Sequence, residues 1–167
     1  MKYTFLAALL IMATTLSAQD SSAITCKLIR ETDPYTRETR LSSGFMRLQG
    51  GSLAIEADSK EIDFFFAIPG KCFSDGSTVF VYFEGSKVKT TYRNTGSMNC
   101  EGNFHFIYRN NTNPNTVLKK MSAQKVANFV FTDNDGKTTI VSLLPDQQKT
   151  LMDAVTCMLQ EAPTLIK

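Results

Sequence analysis

The residues best suited to chemistry lie in the stretch 99–109, NCEGNFHFIYR, which contains the chain's only histidine, His105. A histidine next to a cysteine can act as the base that activates a nucleophilic thiolate. Cys100 precedes His105 by five residues, and an odd separation along a strand places two side chains on opposite faces. Only a bend at Gly102 would bring the two together, so we expect a strand here and no catalytic pair.

The alternation within this stretch predicts a core face and an outer face. The core face contains Phe104, Phe106 and Tyr108, and the outer face contains His105, Ile107 and Arg109.

Other catalytic patterns are weak or missing from the sequence. The sequence contains no GxSxG turn, so a Ser-His-Asp triad has no support. It also contains neither the P-loop pattern nor the dinucleotide-binding glycine pattern. A pair of carboxylates could hydrolyse a glycoside, but the sequence does not determine the distance between the candidate carboxyl groups. The acidic run at 133–136, DNDG, lacks the later glutamate of a calcium loop and favours a hairpin turn. We therefore predict no catalytic residue, no cofactor and no metal site. The carboxylate candidates are Asp63, Asp75, Glu84 and Glu101.

The chain has four cysteines in no CxxC pair, and its single histidine makes a structural zinc site a poor fit. An even number of cysteines in an exported protein permits two disulfides. We favour Cys72–Cys100, because these residues flank two predicted strands, together with Cys26–Cys157. Four buried thiols are the alternative.

Residues 1–18 have the layout of a secretory signal peptide, with Lys2, a short apolar run and a small-residue exit at Ala18. A buried N-terminal helix is the alternative. Removing them leaves residues 19–167 as a single domain in a secreted or periplasmic protein. With one of the 18 basic residues removed, 17 basic against 16 acidic residues give a net charge of +1. This balance argues against nucleic acid as a partner, and no later segment is typical of a membrane span.

Short alternating segments predict a mostly β domain. Strands are expected near 24–30, 61–68, 78–83, 87–93 and 138–143, with a bulge or bend at 42–44 and a hairpin turn at 50–51. The segment 117–132 could begin as a short helix and ends as a strand.

The last predicted element is an amphipathic helix at about 145–161, which Pro145 and Asp146 begin and which an apolar stripe marks. Its predicted outward residues are Gln147, Gln148, Lys149 and Asp153. The expected architecture is α+β: an antiparallel sheet, or a partly closed barrel or sandwich, of about eight or nine strands with this helix packed on it.

Two regions could form a binding surface. One is the basic row of Lys87, Lys89 and Arg93, for which a solvated strand face is the alternative. The other is the outer face with His105 and Arg109. The loop 110–115 is a further contact candidate, and its Asn110-Asn111-Thr112 fits the N-glycosylation pattern.

The segments 75–92 and 129–155 resemble the hairpin and the strand–turn–strand–helix unit of small, uncharacterised secreted bacterial proteins. That resemblance implies an exported β-rich fold and no catalytic residues. Lipocalin-like carriers share export, length and a late helix, but their Gly-x-Trp motif is missing, since the chain has no Trp.

Three functions remain as hypotheses. We favour a non-enzymatic exported domain that binds a protein or glycan of the envelope or extracellular space, or that has a structural role there. The second is a small-molecule or lipid carrier, and the third a hydrolase using scattered carboxylates or His105. The carrier's cavity would be lined by Phe64, Phe66, Phe80, Phe83, Phe104 and Phe106.

Overall fold

A computed structural model describes residues 25–166, so the predicted signal peptide lies outside the described residues. Within them the chain forms ten strands in two antiparallel sheets, two α-helices and a short 3-10 helix. The mostly β class with a C-terminal helix is confirmed, with slightly more strands than expected. The elements are β1 (Ile29–Thr32), β2 (Thr39–Ser42), β3 (Met46–Leu48), β4 (Gly51–Ala57), β5 (Glu61–Ala67), β6 (Thr78–Phe83), β7 (Lys89–Arg93), β8 (Asn103–Arg109), α1 (Thr116–Ala123), β9 (Val126–Thr132), β10 (Thr138–Ser142), α2 (Pro145–Glu161) and the 3-10 helix (Ala162–Leu165).

The larger sheet has the order β1-β2-β4-β5-β8, with β3 also paired to β4, and the smaller sheet has the order β10-β9-β6-β7. The predicted bend separates β2 from β3, where Gly44 has a φ of 67°. The sheets do not close into a barrel, because β7 and β8 end their sheets without pairing to each other. The first strand begins at Ile29, later than the predicted 24–30.

The core lies between the two sheets and is mainly aromatic. Phe64, Phe66, Phe104 and Phe106 of the larger sheet are at most 1% exposed. Phe66 contacts the rings of Phe129 and Phe131 in the smaller sheet, at centroid distances of 4.9 and 5.1 Å.

These contacts do not support the proposed carrier lining. Phe64 stacks on Phe106 at 4.9 Å, so the rings fill the interior instead of surrounding a ligand. Phe80 alternates with the buried Val79 and Val81 and therefore faces outward.

The two helices add to this core with their apolar sides. α2 spans the predicted range and buries Leu151, Val155 and Met158. The prediction for Gln148 is wrong: it is 5% exposed, because it lies on the same helix face as Leu151 and Val155. Among residues 25–166, neither helix combines the length and apolarity that a membrane crossing needs.

The chain forms two disulfides, Cys26–Cys157 and Cys72–Cys100. This is the pairing favoured from the sequence. The first attaches the N-terminal segment to α2. The second joins the segments that precede β6 and β8. This arrangement excludes the alternative of four buried thiols and is consistent with a secreted protein.

Gly102 lies at the entry to β8 and has no room for a side chain. Its φ is 84°, and a Cβ there would lie 2.0 Å from the carbonyl oxygen of Ile68. The amide of Ile68 donates to the carbonyl of Gly102 at 2.8 Å, so the two backbones cannot separate without losing a hydrogen bond.

We expect Gly102→Ala to destabilise the fold by about 3 kcal/mol or more, since a methyl group must displace backbone. Gly136→Ala is the matched control: its φ of 76° is similar, but the position is open. It should cost only about 1 kcal/mol. Urea unfolding of both variants measures the difference, and equal losses would contradict the packing described for Gly102.

A tyrosine pair, the buried Tyr108 and the half-buried Tyr92, bridges the gap between β7 and β8. The Tyr108 hydroxyl donates to the Tyr92 hydroxyl at 2.6 Å, and the Tyr92 ring stacks on Phe106 at 4.4 Å. Burial raises the pKa of Tyr108 far above its usual value of 10, and it also raises the pKa of Tyr92.

The raised pKa of Tyr108 predicts alkaline destabilisation. Above pH about 10 the unfolded chain releases the Tyr108 proton while the folded chain retains it, so stability falls as pH rises. Urea unfolding between about pH 8 and pH 11 should therefore show a flatter decline for Tyr108→Phe than for wild type. Tyr35→Phe, at a site 94% exposed, should retain the wild-type slope. Indistinguishable slopes for wild type and Tyr108→Phe would refute the assignment.

Candidate functional site

His105 lies on the outer face of the larger sheet, directly opposite Phe65 in the β5–β8 ladder. Its amide donates to the Asn94 side chain at 2.9 Å and its carbonyl accepts from the amide of Thr95 at 2.9 Å. Both backbone groups therefore point away from β5, which makes Phe65 and His105 a non-hydrogen-bonded pair, the closer kind. Their ring centroids are 4.6 Å apart.

The His105 imidazole contacts a carboxylate that the sequence analysis did not connect with it. Asp63 lies on the same face of β5, diagonal to His105, with 2.8 Å between its Oδ2 and the Nδ1 of His105. The only sequence clue was that 61–67 and 103–109 are alternating segments of equal length, and nothing in either one fixes their register.

This contact orients the imidazole. An ionised carboxylate can only accept, so Nδ1 carries the proton and donates it to Asp63. The neutral ring then presents its Nε2 as an acceptor, and the His105 side chain is 31% exposed. The site thus offers a fixed hydrogen-bonding group on an open face.

The surroundings of His105 provide no activated nucleophile within the described part of the chain. All four cysteines are in disulfides. The Thr95 hydroxyl donates to the carbonyl of His105 at 3.3 Å, away from the imidazole.

The other carboxylate candidates do not converge. Asp75 and Glu84 lie in turns at opposite ends of β6, and Glu101 accepts a hydrogen bond from the side chain of Asn103 in the loop before β8. Of the four, only Asp63 reaches the histidine.

Apolar side chains surround this pair on the same face. Phe45 meets Phe65 edge-on at 5.8 Å, so Phe45, Phe65 and His105 form a continuous row. Phe45 is 66% exposed and Ile107, opposite Asp63 in the ladder, is 41% exposed. We call Phe45, Phe65, His105 and Ile107 the aromatic face.

Charged groups border the aromatic face. Arg40 and Glu56 line a depression of about 100 Å³ together with Asp63. The Oδ1 of Asp63 is buried without a hydrogen-bond partner among residues 25–166, although Oδ2 is engaged. Arg109 lies opposite Glu61 at the end of the ladder.

The five residues predicted to contribute to a binding surface divide between the two sheets. Lys89 and Arg93 lie on exposed positions of β7 in the smaller sheet, and Lys87 precedes that strand in a loop. The Nζ of Lys89 lies 3.6 Å from the Phe80 ring centroid, a cation–π contact that covers this ring. His105 and Arg109 belong to the larger sheet. The two predicted regions therefore lie on different sheets and do not adjoin as one surface.

Asn110, a candidate for glycosylation and part of the proposed contact loop, is a structural residue. It is 5% exposed, and its side chain donates to the carbonyls of Asp58 and Ala162 at 2.7 and 2.8 Å. The folded protein therefore cannot present this side chain to a glycosyltransferase or to a partner.

Asn110→Ala should lower the free energy of unfolding by about 1–3 kcal/mol, because the buried carbonyl of Ala162 and the part-buried carbonyl of Asp58 lose their donor. Asn111→Ala, at the exposed neighbouring position, is the control and should change stability by less than about 0.5 kcal/mol. Urea unfolding measures both variants, and a neutral Asn110→Ala would contradict the anchoring role.

The DNDG segment forms the β9–β10 hairpin turn, as expected. The Asp133 carboxylate accepts from the amides of Asp135 and Lys137, at 3.1 and 2.8 Å. Across residues 25–166, no group of three or more His, Cys, Asp or Glu side chains is placed to hold a metal ion.

Comparison with known proteins adds no relative: no protein-family model, no curated protein and no solved structure matches this chain.

The orientation of His105 is directly measurable. A long-range ¹H–¹⁵N correlation spectrum of the neutral imidazole should show the proton fixed on Nδ1 in the wild type. Asp63→Ala should return the ring to a mixture of tautomers, whereas Glu56→Ala, which removes a nearby carboxylate, should not. A wild-type ring protonated mainly on Nε2 would show that Asp63 does not orient it.

Proposed function

We propose that this chain is an exported, non-enzymatic binding domain that recognises a protein through its aromatic face. The observation that carries the proposal is the row formed by the exposed Phe45 and the half-buried Phe65 and His105 on the outer face of the sheet. Exposed aromatic side chains at the centre of a patch with a polar rim are typical of protein interfaces. Here Arg40, Glu56 and Arg109 supply charges of both signs at the border.

The contacts within this row favour a large contribution to the free energy of binding. Phe65 is fixed between Phe45 and His105, and His105 is fixed by Asp63, so little side-chain freedom remains to be lost on binding. A partner that covers Phe45 and Ile107 would remove exposed apolar surface from water. The Nε2 of His105 would supply a directional contact within that patch.

The ring geometry favours a protein over a glycan. Phe45 and Phe65 meet at an interplanar angle of 71°, so they form no flat platform on which a sugar ring could stack. An edge-and-face arrangement instead leaves notches that side chains can fill.

Site-specific photo-crosslinking tests the proposal in cells that express the chain. Benzoylphenylalanine replaces Phe45 in one variant and Ile140 in the other; the two sites are matched in exposure, at 66% and 64%, but lie on different sheets. Position 45 should give one discrete protein adduct and position 140 none. The purified adduct partner should bind the purified domain, and Ile107→Asp should weaken that complex at least about tenfold.

Equal adducts from both positions, or none from position 45, would contradict the aromatic face. Co-sedimentation with isolated envelope polysaccharide that Phe45→Ala abolishes would instead assign the face to a glycan.

A further inference from the structure

A second feature lies away from the aromatic face, where the β1–β2 hairpin, the β4–β5 turn and the C-terminal 3-10 helix meet. A cavity of about 470 Å³ opens there, within the size range of small-molecule sites. Its lining includes Arg30, Arg37, Ser59, Thr164, Leu165 and Ile166.

Arg37 has an unusual backbone for its residue type. Its φ is 57°, and it is the one non-glycine residue between 25 and 166 with a positive φ. The turn itself is well bonded, since the amide of Arg37 donates to the Asp33 carbonyl at 2.8 Å and the amide of Asp33 to the Glu38 carbonyl at 2.9 Å. Glycine or asparagine would fit this conformation with less strain. Strained positions of this kind cluster at functional sites.

The Arg37 side chain contributes no contact that would explain its presence. Among the described residues its guanidinium forms neither a hydrogen bond nor an ion pair, whereas Arg30 on the same wall pairs with Glu161 at 3.3 Å. Arg37 is exposed, so neither burial nor charge pairing accounts for an arginine at the strained position.

The remaining polar groups of the cavity are unequally available. The Thr164 hydroxyl donates to the Glu161 carbonyl at 2.6 Å, and the Thr39 hydroxyl is bonded to that of Thr32 at 3.0 Å. The Ser59 hydroxyl has no such partner within residues 25–166. The donors without any partner of their own are thus Arg37 and Ser59, while Arg30 uses one of its five N–H groups on Glu161.

We propose that this cavity binds a small organic carboxylate. The carboxylate would accept from the Arg37 guanidinium, whose planar fork matches two oxygens, and from Ser59. Leu165 and Ile166, which also line the cavity, would contact a short aliphatic body. Glu38 lines the same cavity, and its negative charge favours a singly charged head group over a doubly charged phosphate.

Titration of the mature chain with butanoate, followed by ¹H–¹⁵N correlation spectra, tests this site. Butanoate should shift the amides of Arg37, Ser59 and Ile166 saturably. Butanol, which lacks the charge, should not, and butyl phosphate should bind more weakly.

Two variants separate ligand contact from fold stability. Arg37→Asn should weaken butanoate binding by about tenfold to a hundredfold, as expected for a lost charge-assisted hydrogen bond. Its thermal midpoint should be no lower than that of wild type, because asparagine tolerates the left-handed conformation. Arg93→Asn, which removes an exposed arginine on the smaller sheet, should bind as wild type does.

The proposal is overturned by unsaturable shifts with butanoate, by equal weakening in Arg37→Asn and Arg93→Asn, or by tighter binding of butyl phosphate. These outcomes are independent of the aromatic face, since none of its residues lines the cavity.

Discussion

The register between β5 and β8 is the constraint on which the core and the candidate site both depend. With Phe64 opposite Phe106 and Phe66 opposite Phe104, four phenylalanines enter the space between the sheets. The same register places Phe65 beside His105 and brings Asp63 within reach of the imidazole. Because side chains alternate along a strand, a shift of one residue would exchange the buried and outer sets. The packing of the interior therefore fixes the arrangement of the outer face.

Several contacts hold β8 in this position, some of them along the edge that pairs with no strand of the sheet. The Asn99 side chain donates to the carbonyl of Asn103 and accepts from its amide, both at 2.9 Å, much as a neighbouring strand would. The Asn94 side chain accepts from the amide of His105 in the same way. The Cys72–Cys100 disulfide and the close approach at Gly102 fix the entry to the strand. The side chains of Asn99 and Asn94 thus provide partners for backbone groups on the exposed edge of β8, which could otherwise pair with another chain.

Local patterns in the sequence predicted much of this fold. Alternation identified the buried side of β8, the Asp-Gly pair located the β9–β10 turn, and Pro145 with its apolar stripe located α2. The disulfide pairing followed from the position of Cys72 and Cys100 around predicted strands. Each of these features depends on residues close together in the chain or on their spacing.

The features that were missed depend on contacts between distant segments. Asp63 and His105 are 42 residues apart, and their contact follows only from the β5–β8 register. The burial of Asn110 depends on the carbonyl of Ala162, which is 52 residues away. Lys89 and His105 belong to different sheets because β7 pairs with β6 and β8 with β5. A single sequence carries no signal for such pairings. Alternation therefore predicted which face of its strand a residue occupies, but not which residues of other strands lie beside it.

The most direct test of this account is the measurement of interstrand Hα–Hα NOEs in the purified protein. Non-hydrogen-bonded antiparallel pairs bring their Cα atoms to about 4.5 Å, which gives strong NOEs between their Hα atoms. The account predicts such NOEs for Phe65 with His105 and for Asp63 with Ile107. NOEs that join Phe65 to Phe104 or to Phe106 instead would show a shifted register, and would contradict both the aromatic core and the face built upon it.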